Sequence, residues 1–468
     1  MKIADLFGEG KLVFKLGAPL ILLWAADIGF GTVGLFFAGA ISALDQAAFG
    51  LSFTLFITTC VFSIGTLNAI ITISARLDGA QESLAIGNLG RVGLVLASIF
   101  SVLSIGLLLL LQRNLGLLEL EPKLAMRVTE FLGVLVFAVP FQNFASVFLS
   151  LSNGLGRTTL PGIIGISSLL VMIIATYCLS FGAFGLPRLD GIGIAVAIVL
   201  ATIFRCLMSC GLVLQSKFRE TKIIEFKVRD PIKTAVHLLK VGSPLGLMEL
   251  SSMGAVAMIS LLVASEGTFF LAAHNIGFNV IVLSHFLIVG LGQGLTIRTG
   301  NLLGREDSSR MNLMHGAAVL FALIFFLISA GCLFLFREEI VMFYSVDSEV
   351  ISIGSNLLLI AILIKLVDDP AGALTGILIG RKDTRAVFLI RIAAFWVLGI
   401  PLGFALLSEF GLYGFWFAVV LTHCLILGAT IWRNCQSFCL FSFPVTNRSV
   451  YPNSRSMPVN RAYFRTCR

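Results

Sequence analysis

The chain has 468 residues, 57% of them hydrophobic and 12% charged, and its mean hydropathy is +1.00. That composition excludes an ordinary soluble domain. The net charge of +8 reflects topology rather than a nucleic-acid site: with the N-terminus inside, 26 of the 33 Lys and Arg fall in cytoplasmic segments and their flanks, and five (Arg113, Lys123, Arg127, Arg188, Arg337) fall outside.

A bilayer-crossing helix requires ~20 predominantly apolar residues, and twelve runs qualify. The first, 16–39, is too long for a cleavable signal peptide and should act as an uncleaved anchor. It carries Asp27 beside small residues in Trp24-Ala-Ala-Asp27-Ile-Gly29. Runs 46–75, 89–111, 128–151, 160–182 and 191–215 follow, with Arg205 in the last of them as a partner for an acid or a helix end. These six define an N-terminal bundle, 1–215. Residues 216–240 are polar and basic and read as a cytoplasmic linker.

A second bundle, 241–433, holds runs 241–264, 272–297, 312–336, 350–380, 386–408 and 413–433. Glu249 and Ser252 lie in the seventh run; His274 and Asn275 open the eighth, as capping or interface residues. His285 and His423 are lone helical histidines, which are usually packing residues. Residues 434–468 contain five arginines and no acid. This stretch cannot bury a core and is expected to be a disordered basic cytoplasmic tail.

The tenth run holds the sharpest signal: Lys365-Leu-Val-Asp368-Asp369-Pro370, two adjacent acids and a proline inside an apolar helix. A charge at that depth costs ~3 kcal/mol on insertion scales, so it normally faces protein or a wet cavity. The proline removes a backbone donor and frees a carbonyl of the preceding turn. Neighbouring carboxylates in low dielectric do not both stay anionic, so one is expected to hold a proton. Lys365 precedes the two acids by three and four residues, and either could pair with it. The element therefore reads as an exchange site for a proton or a small cation, or as a structural ion pair.

An ungapped offset of 225 residues relates the halves. It carries Lys15-Leu-Gly17-Ala-Pro19-Leu20 onto Lys240-Val-Gly242-Ser-Pro244-Leu245, Ala47-Ala48 onto Ala272-Ala273, and Gly79 onto Gly304. Six helices per half is an even number, so the halves should be related by an axis along the membrane normal with a cavity between them. The offset sets Asp27 on Ser252, one turn past Glu249, so both acids should approach that cavity. Further polar residues expected to line it are Asn275, Asn279, Ser252, Gln293 and Lys365. The 40 phenylalanines would suit a flat apolar cationic solute where they face it.

Enzyme signatures are lacking. The chain has no GxxxxGK[ST], GxSxG or HExxH, and no Cys/His cluster at metal-ligand spacing. None of the nine cysteines falls in an expected outer loop, which argues against a structural disulfide. An intramembrane enzyme or receptor would have only the 368–369 pair to work with.

The stretch Ala272-Ala-His274-Asn275-Ile-Gly-Phe-Asn279, followed by Gly294-Leu-Thr-Ile-Arg298-Thr-Gly300-Asn-Leu-Leu-Gly304, resembles the eighth helix of the multidrug and toxic compound extrusion (MATE) transporters, NorM-type branch. Pro19 with Phe37-Ala-Gly39, Val139-Pro140 with Asn153-Gly154, and Trp396-Val-Leu-Gly-Ile-Pro401 are similar to the same family. The resemblance covers about 15–433 and implies an all-α polytopic fold of twelve transmembrane helices in two six-helix bundles related by pseudo-two-fold symmetry. It also implies a secondary active exporter of organic, cationic amphiphiles, driven by sodium or proton antiport, with no cofactor beyond the coupling ion. A bacterial inner membrane location, cytoplasmic termini and a monomer in the lipid bilayer complete that expectation.

Counting back from Gly380-Arg381, the family's tenth-helix aspartate falls on Asp368, the ligand if sodium is the ion. Asp369, Glu249 and Asp27 are the other ion-coupling candidates. The family's first-helix aspartate falls on Gly34 and its seventh-helix glutamate on Ser252; its polar fifth-helix positions are Met172 and Thr176. An alternative on the same fold is a dedicated exporter of a secondary metabolite, siderophore or lipid-linked precursor.

Overall fold

The computed structural model describes residues 3–115, 121–213, 221–223, 230–264, 268–307, 310–345 and 347–441. Among them the regular structure is helical throughout, as it must be where no water satisfies backbone groups. In chain order the helices are α1 (Ile3–Ile41), α2 (Ala43–Leu67), α3 (Ala69–Gly79), α4 (Ser83–Arg113), α5 (Pro122–Leu135), α6 (Ala138–Gly154), α7 (Thr159–Phe181) and α8 (Gly191–Val213). Then come α9 (Pro231–Ala264), α10 (Thr268–Gly304), α11 (Met311–Leu335), α12 (Arg337–Tyr344), α13 (Ser348–Gly380), α14 (Thr384–Ile392), a π-helical segment (Ala393–Gly399) and α15 (Ile400–Phe441).

Local chemistry sets several helix starts. The Ser42 hydroxyl accepts from Asp45 N at 3.0 Å and caps α2. The Asp347 carboxylate caps α13, accepting from Glu349 N at 2.8 Å and Val350 N at 3.3 Å. Pro122 sits in the first turn of α5, where its missing N–H costs nothing.

Nine of these stretches are long and apolar enough to cross a membrane among the described residues, or ten if α5 and α6, bent by 45°, form one span. The last stretch, Thr384–Gln436, is 53 residues long. A straight helix of that length would reach ~80 Å, far beyond ~30 Å of hydrocarbon. It is broken at Gly411, whose φ of 60° and ψ of −156° are open essentially to glycine alone. The final helix continues to Phe441, into the stretch expected to be tail, and α9 begins at Pro231, so 231–240 of the expected linker 216–240 are helix instead; the expected disorder of 442–468 and linker residues 216–220 and 224–229 lie outside the described residues.

One core gathers Phe49, Phe131, Leu132, Met172 and Ile198 from α2, α5, α7 and α8. Another gathers Val263, Leu357, Leu358, Phe415 and Trp416 from α9, α13 and α15. Large side chains such as Val102, Leu103 and Leu327 point outward, as a lipid-facing surface requires. Between the two sets α1 packs on α10, α2 on α9 and α3 on α10.

This seam is built backbone to backbone, and its contacts repeat at the 225-residue offset. A methyl group at Gly79 would strike Asn301 O, and one at Gly304 would strike Arg76 O. Gly17 lies on Gly290 and Leu291, while its equivalent Gly242 lies on Thr66, the equivalent of Leu291. Gly65 meets Gly246, while its equivalent Gly290 meets Ile21, the equivalent of Gly246. Such reciprocity marks an isologous two-fold contact, here within one chain. A buried acid ties the same seam: Glu9 of α1 accepts two bonds of 2.8 Å from Arg298 of α10 and one of 2.9 Å from Arg310.

Candidate functional site

The site grows from one turn of α13, which runs unbroken through Pro370. Lys365 pairs with Asp369, four residues on, and not with Asp368: Lys365 Nζ donates to Asp369 Oδ1 at 2.8 Å and to Ser284 O of α10 at 3.4 Å. Both side chains are buried, so this pair is closed off from solvent.

Asp368, one residue earlier and rotated by about 100° on the helix, faces α10 and α15. His285 Nδ1 lies 2.7 Å from Asp368 Oδ2, and His423 Nε2 lies 3.8 Å from Asp368 Oδ1. The histidines read as packing residues in the sequence are thus the neighbours of the central acid. His423 Nδ1 lies 2.8 Å from Val419 O, and a carbonyl only accepts, so Nδ1 carries a proton. In neutral His423 the bare Nε2 lone pair then faces a carboxylate oxygen. At 3.8 Å the two are not hydrogen-bonded, and Nε2 offers the carboxylate no donor until it takes up a proton.

Two cavities adjoin this cluster. The larger, about 350 Å³, lies where the two helix sets meet. Trp24, Asn68 and Thr72 line one side, and Glu249, Ser252, Gln293 and Arg391 line the other. Glu249 makes no hydrogen bond or ion pair among the described residues, and its offset equivalent on the opposite wall is Trp24. The smaller cavity, about 250 Å³, holds Asp368, His285 and His423 among Phe278, Phe395, Phe415 and Trp416. Ser252, His285 and Arg391 line both and so partition them. The π-helical segment shapes this wall: Phe395 enters the smaller cavity, and Trp396 Nε1 donates to Ser251 Oγ at 2.8 Å.

The other candidates divide. Ser252 and Gln293 line the larger cavity, whereas Asn275, Asn279 and Lys365 line neither of these two. Asn279 instead accepts from Tyr344 Oη at 3.1 Å. Asp27 also lines neither cavity; it is ion-paired to Arg205 Nη1. Arg205 is buried, donates from Nε to Ser168 Oγ at 3.1 Å and stacks on the Phe30 ring at 4.9 Å. The family position at Gly34 cannot take a carboxylate as it stands, because the Phe49 ring fills the space a side chain would need. His285, His423 and Arg391 come from three helices far apart in sequence, so no spacing signal marks them.

A helical bundle with a cavity at its central seam and a buried carboxylate beside it defines a polytopic membrane transport protein. The MatE family model matches residues 19–178 and 244–405, the second segment beginning 225 residues after the first. The chain belongs to this family. It is 27% identical to the multidrug resistance protein NorM of Photobacterium profundum over 92% of this chain and 96% of that one. It is 28% identical to the multidrug resistance protein MdtK of Proteus mirabilis over 91% and 95%. Its fold matches the Vibrio cholerae MATE transporter VcmN in the bent form, with a TM-score of 0.85, 17% identity, and 94% and 99% of the two chains covered. It likewise matches the eukaryotic MATE transporter AtDTX14, at TM-score 0.83, 16% identity and coverage of 92% and 96%.

Proposed function

We propose that this multidrug efflux transporter works as a proton antiporter, with Asp368 and its two imidazoles as the coupling site. The relatives' shared name, multidrug resistance protein, supports efflux of amphiphilic organic compounds. The observation that carries the choice of ion is the fixed tautomer of His423, which leaves a place for one proton between Nε2 and Asp368 Oδ1. Imidazole is the side chain suited to gaining and losing protons near neutral pH. Sodium is a hard cation that prefers oxygen ligands, and here imidazoles occupy the approach to the carboxylate.

A proton taken up on Nε2 gives the imidazolium a donor for Asp368 Oδ1, and closing the 3.8 Å gap to hydrogen-bond distance draws α13 and α15 together. Ion and solute then favour different states of the protein, which is the requirement for coupled exchange. Glu249, unpaired and facing the larger cavity, meets the cationic group of the solute. Asp369 and Asp27 already hold Lys365 and Arg205, and they take no part in the relay. The reading divides the chain as 1–215, 216–240, 241–433 and 434–468. Its twelve crossings comprise the nine, the α5–α6 pair, α9, and division of the last stretch at Gly411. It places the protein in a bacterial inner membrane with both termini in the cytoplasm, as the bacterial relatives and the Lys/Arg distribution support.

Everted vesicles test the proposal. Dye uptake driven by a pH gradient is expected for the unaltered chain and absent for Asp368→Asn; driven uptake at the normal rate in that variant overturns the assignment.

A further inference from the structure

Where α3 and α10 end, the seam carries two mirrored clusters of cations. In the first, Asp78 of α3 accepts from Asn301 Nδ2 of α10 at 2.9 Å and lies within electrostatic reach of Arg305 and of Arg157, in the turn after α6. The 225-residue offset carries Asn301 back onto Arg76 and Asp78 forward onto Leu303, so the mirrored cluster has an added cation and lacks the acid. Its members are Arg76 of α3, His237 and Lys240 of α9, and Lys382 in the turn after α13.

Lys382 Nζ lies 3.2 Å from His237 Nε2. An ammonium only donates, so the imidazole is neutral and accepts. Burial, then Lys382, Lys240 and Arg76, lower His237 to about 4. Among the described residues none of the four cluster members pairs with a carboxylate. Asp383, next in the chain after Lys382, is held instead by Arg433 at 2.6 and 3.2 Å. A bias of positive charge toward one face asks only for solvated cations. Pressing a lysine against an imidazole beside further cations costs free energy, which a bound anion would offset.

We propose that Arg76, His237 and Lys382 together bind a phosphate group that bridges the two helix sets. Phosphate oxygens point in several directions and accept charge-assisted bonds, so one group can meet cations on separate elements. Arg76 comes from one set and His237 and Lys382 from the other, and α3 packs on α9. Arg76 and Lys240 are exposed, which leaves the cluster open to a ligand from outside. A phosphate held there stabilises the closed seam described above, because only that arrangement brings its partners together. On the proposed orientation this is the cytoplasmic face, where anionic headgroups and soluble phosphate both occur.

Thermal melts of the purified full chain test this in two arms. One compares inorganic phosphate with sodium chloride at matched ionic strength in detergent; the other compares nanodiscs of phosphatidylglycerol with nanodiscs of phosphatidylcholine. The melting temperature should rise by about 2 °C over its control in at least one arm, since a ligand bound only by the folded chain stabilises it by mass action. A response to inorganic phosphate alone makes the ligand soluble, a response to phosphatidylglycerol alone makes it a headgroup, and a response to both shows that the site takes either. Because the group bridges the seam, Arg76→Gln and Lys382→Gln should each remove the rise. Arg385→Gln, which removes an exposed charge just beyond the cluster, should keep it. A phosphate site here is ruled out if neither ligand gives a rise beyond its control, if the rise survives in Arg76→Gln or in Lys382→Gln, or if Arg385→Gln removes it as completely. None of these measurements uses an ion gradient or a transported solute, so their outcome is separate from that of the antiport scheme.

Discussion

Each half of the molecule holds an acid at membrane depth, and the two are neutralised in different ways. Asp27 meets Arg205, a cation that does not release its proton in a protein. Asp368 meets the imidazoles of His285 and His423. On the proposed scheme it is the partner's chemistry, and not depth alone, that separates an exchange site from a structural pair. The α13 turn repeats the contrast at close range, since Asp369 is locked to Lys365 while its neighbour Asp368 is not.

The largest expected effect comes from separating the two acids by mutation. Asp368→Asn should abolish driven efflux, and no change at His285 or His423 should restore it. Asp27→Asn alone strands a buried guanidinium and should cost on the order of 2 kcal/mol, below the figure for a fully buried pair because Asp27 is partly exposed. Removing both charges, as in Asp27→Asn with Arg205→Leu, should recover stability and efflux, measured by thermal melts and vesicle assays. Failure of the double variant to transport would put Asp27 back in the relay.

Next in size is His423→Gln, which keeps the fold but removes the imidazole from the proton's place. Driven efflux should fall about a hundredfold, the lower end of the range for loss of one positioned proton-transfer group, and its pH profile should lose one step. An unaltered profile would reduce His423 to packing.

The mirrored seam gives a third test. Because Gly79 and Gly304 make equivalent contacts, Gly79→Val and Gly304→Val should shift the conformational balance to similar extents, both away from the closed seam described here. Labelling of a cysteine placed at Ala75 reads that opening, since Ala75 is fully buried and lies against Gly300. A strong effect from one substitution and none from its equivalent would break the symmetry argument.

The smallest expected effect concerns the turn after α13. Burial, with a lesser effect from Arg76, lowers Lys382 to about 8 from its ordinary 10.5. The folded chain then binds fewer protons than the unfolded chain between those values, so this group makes stability rise with pH across that window. Thermal melts should show that rise flattened in Lys382→Gln.

Much of this organisation was legible in the sequence, for physical reasons. Apolar runs declare membrane helices because hydrocarbon tolerates little else, and the offset of 225 residues reappears as paired glycine contacts. The weight on Asp368 came from the high cost of burying charge. What stayed hidden was partnership. Lys365 has two acids within helical reach, and only the packing of α10 and α15 against α13 decides that Asp369 is the one it holds. His285, His423 and Arg391 carry no local pattern because three separate helices bring them together. Asn275 and Asn279 were marked by polarity in an apolar run, yet they line neither of the two cavities described, and Asn279 instead accepts from Tyr344 Oη.

The most direct test of a titratable partner for Asp368 uses purified protein in liposomes, with sodium and proton gradients imposed one at a time and dye movement followed. A pH gradient alone should drive dye flux while a sodium gradient alone at uniform pH should not. Flux driven by sodium alone, undiminished in a chain lacking both His285 and His423, would contradict the account.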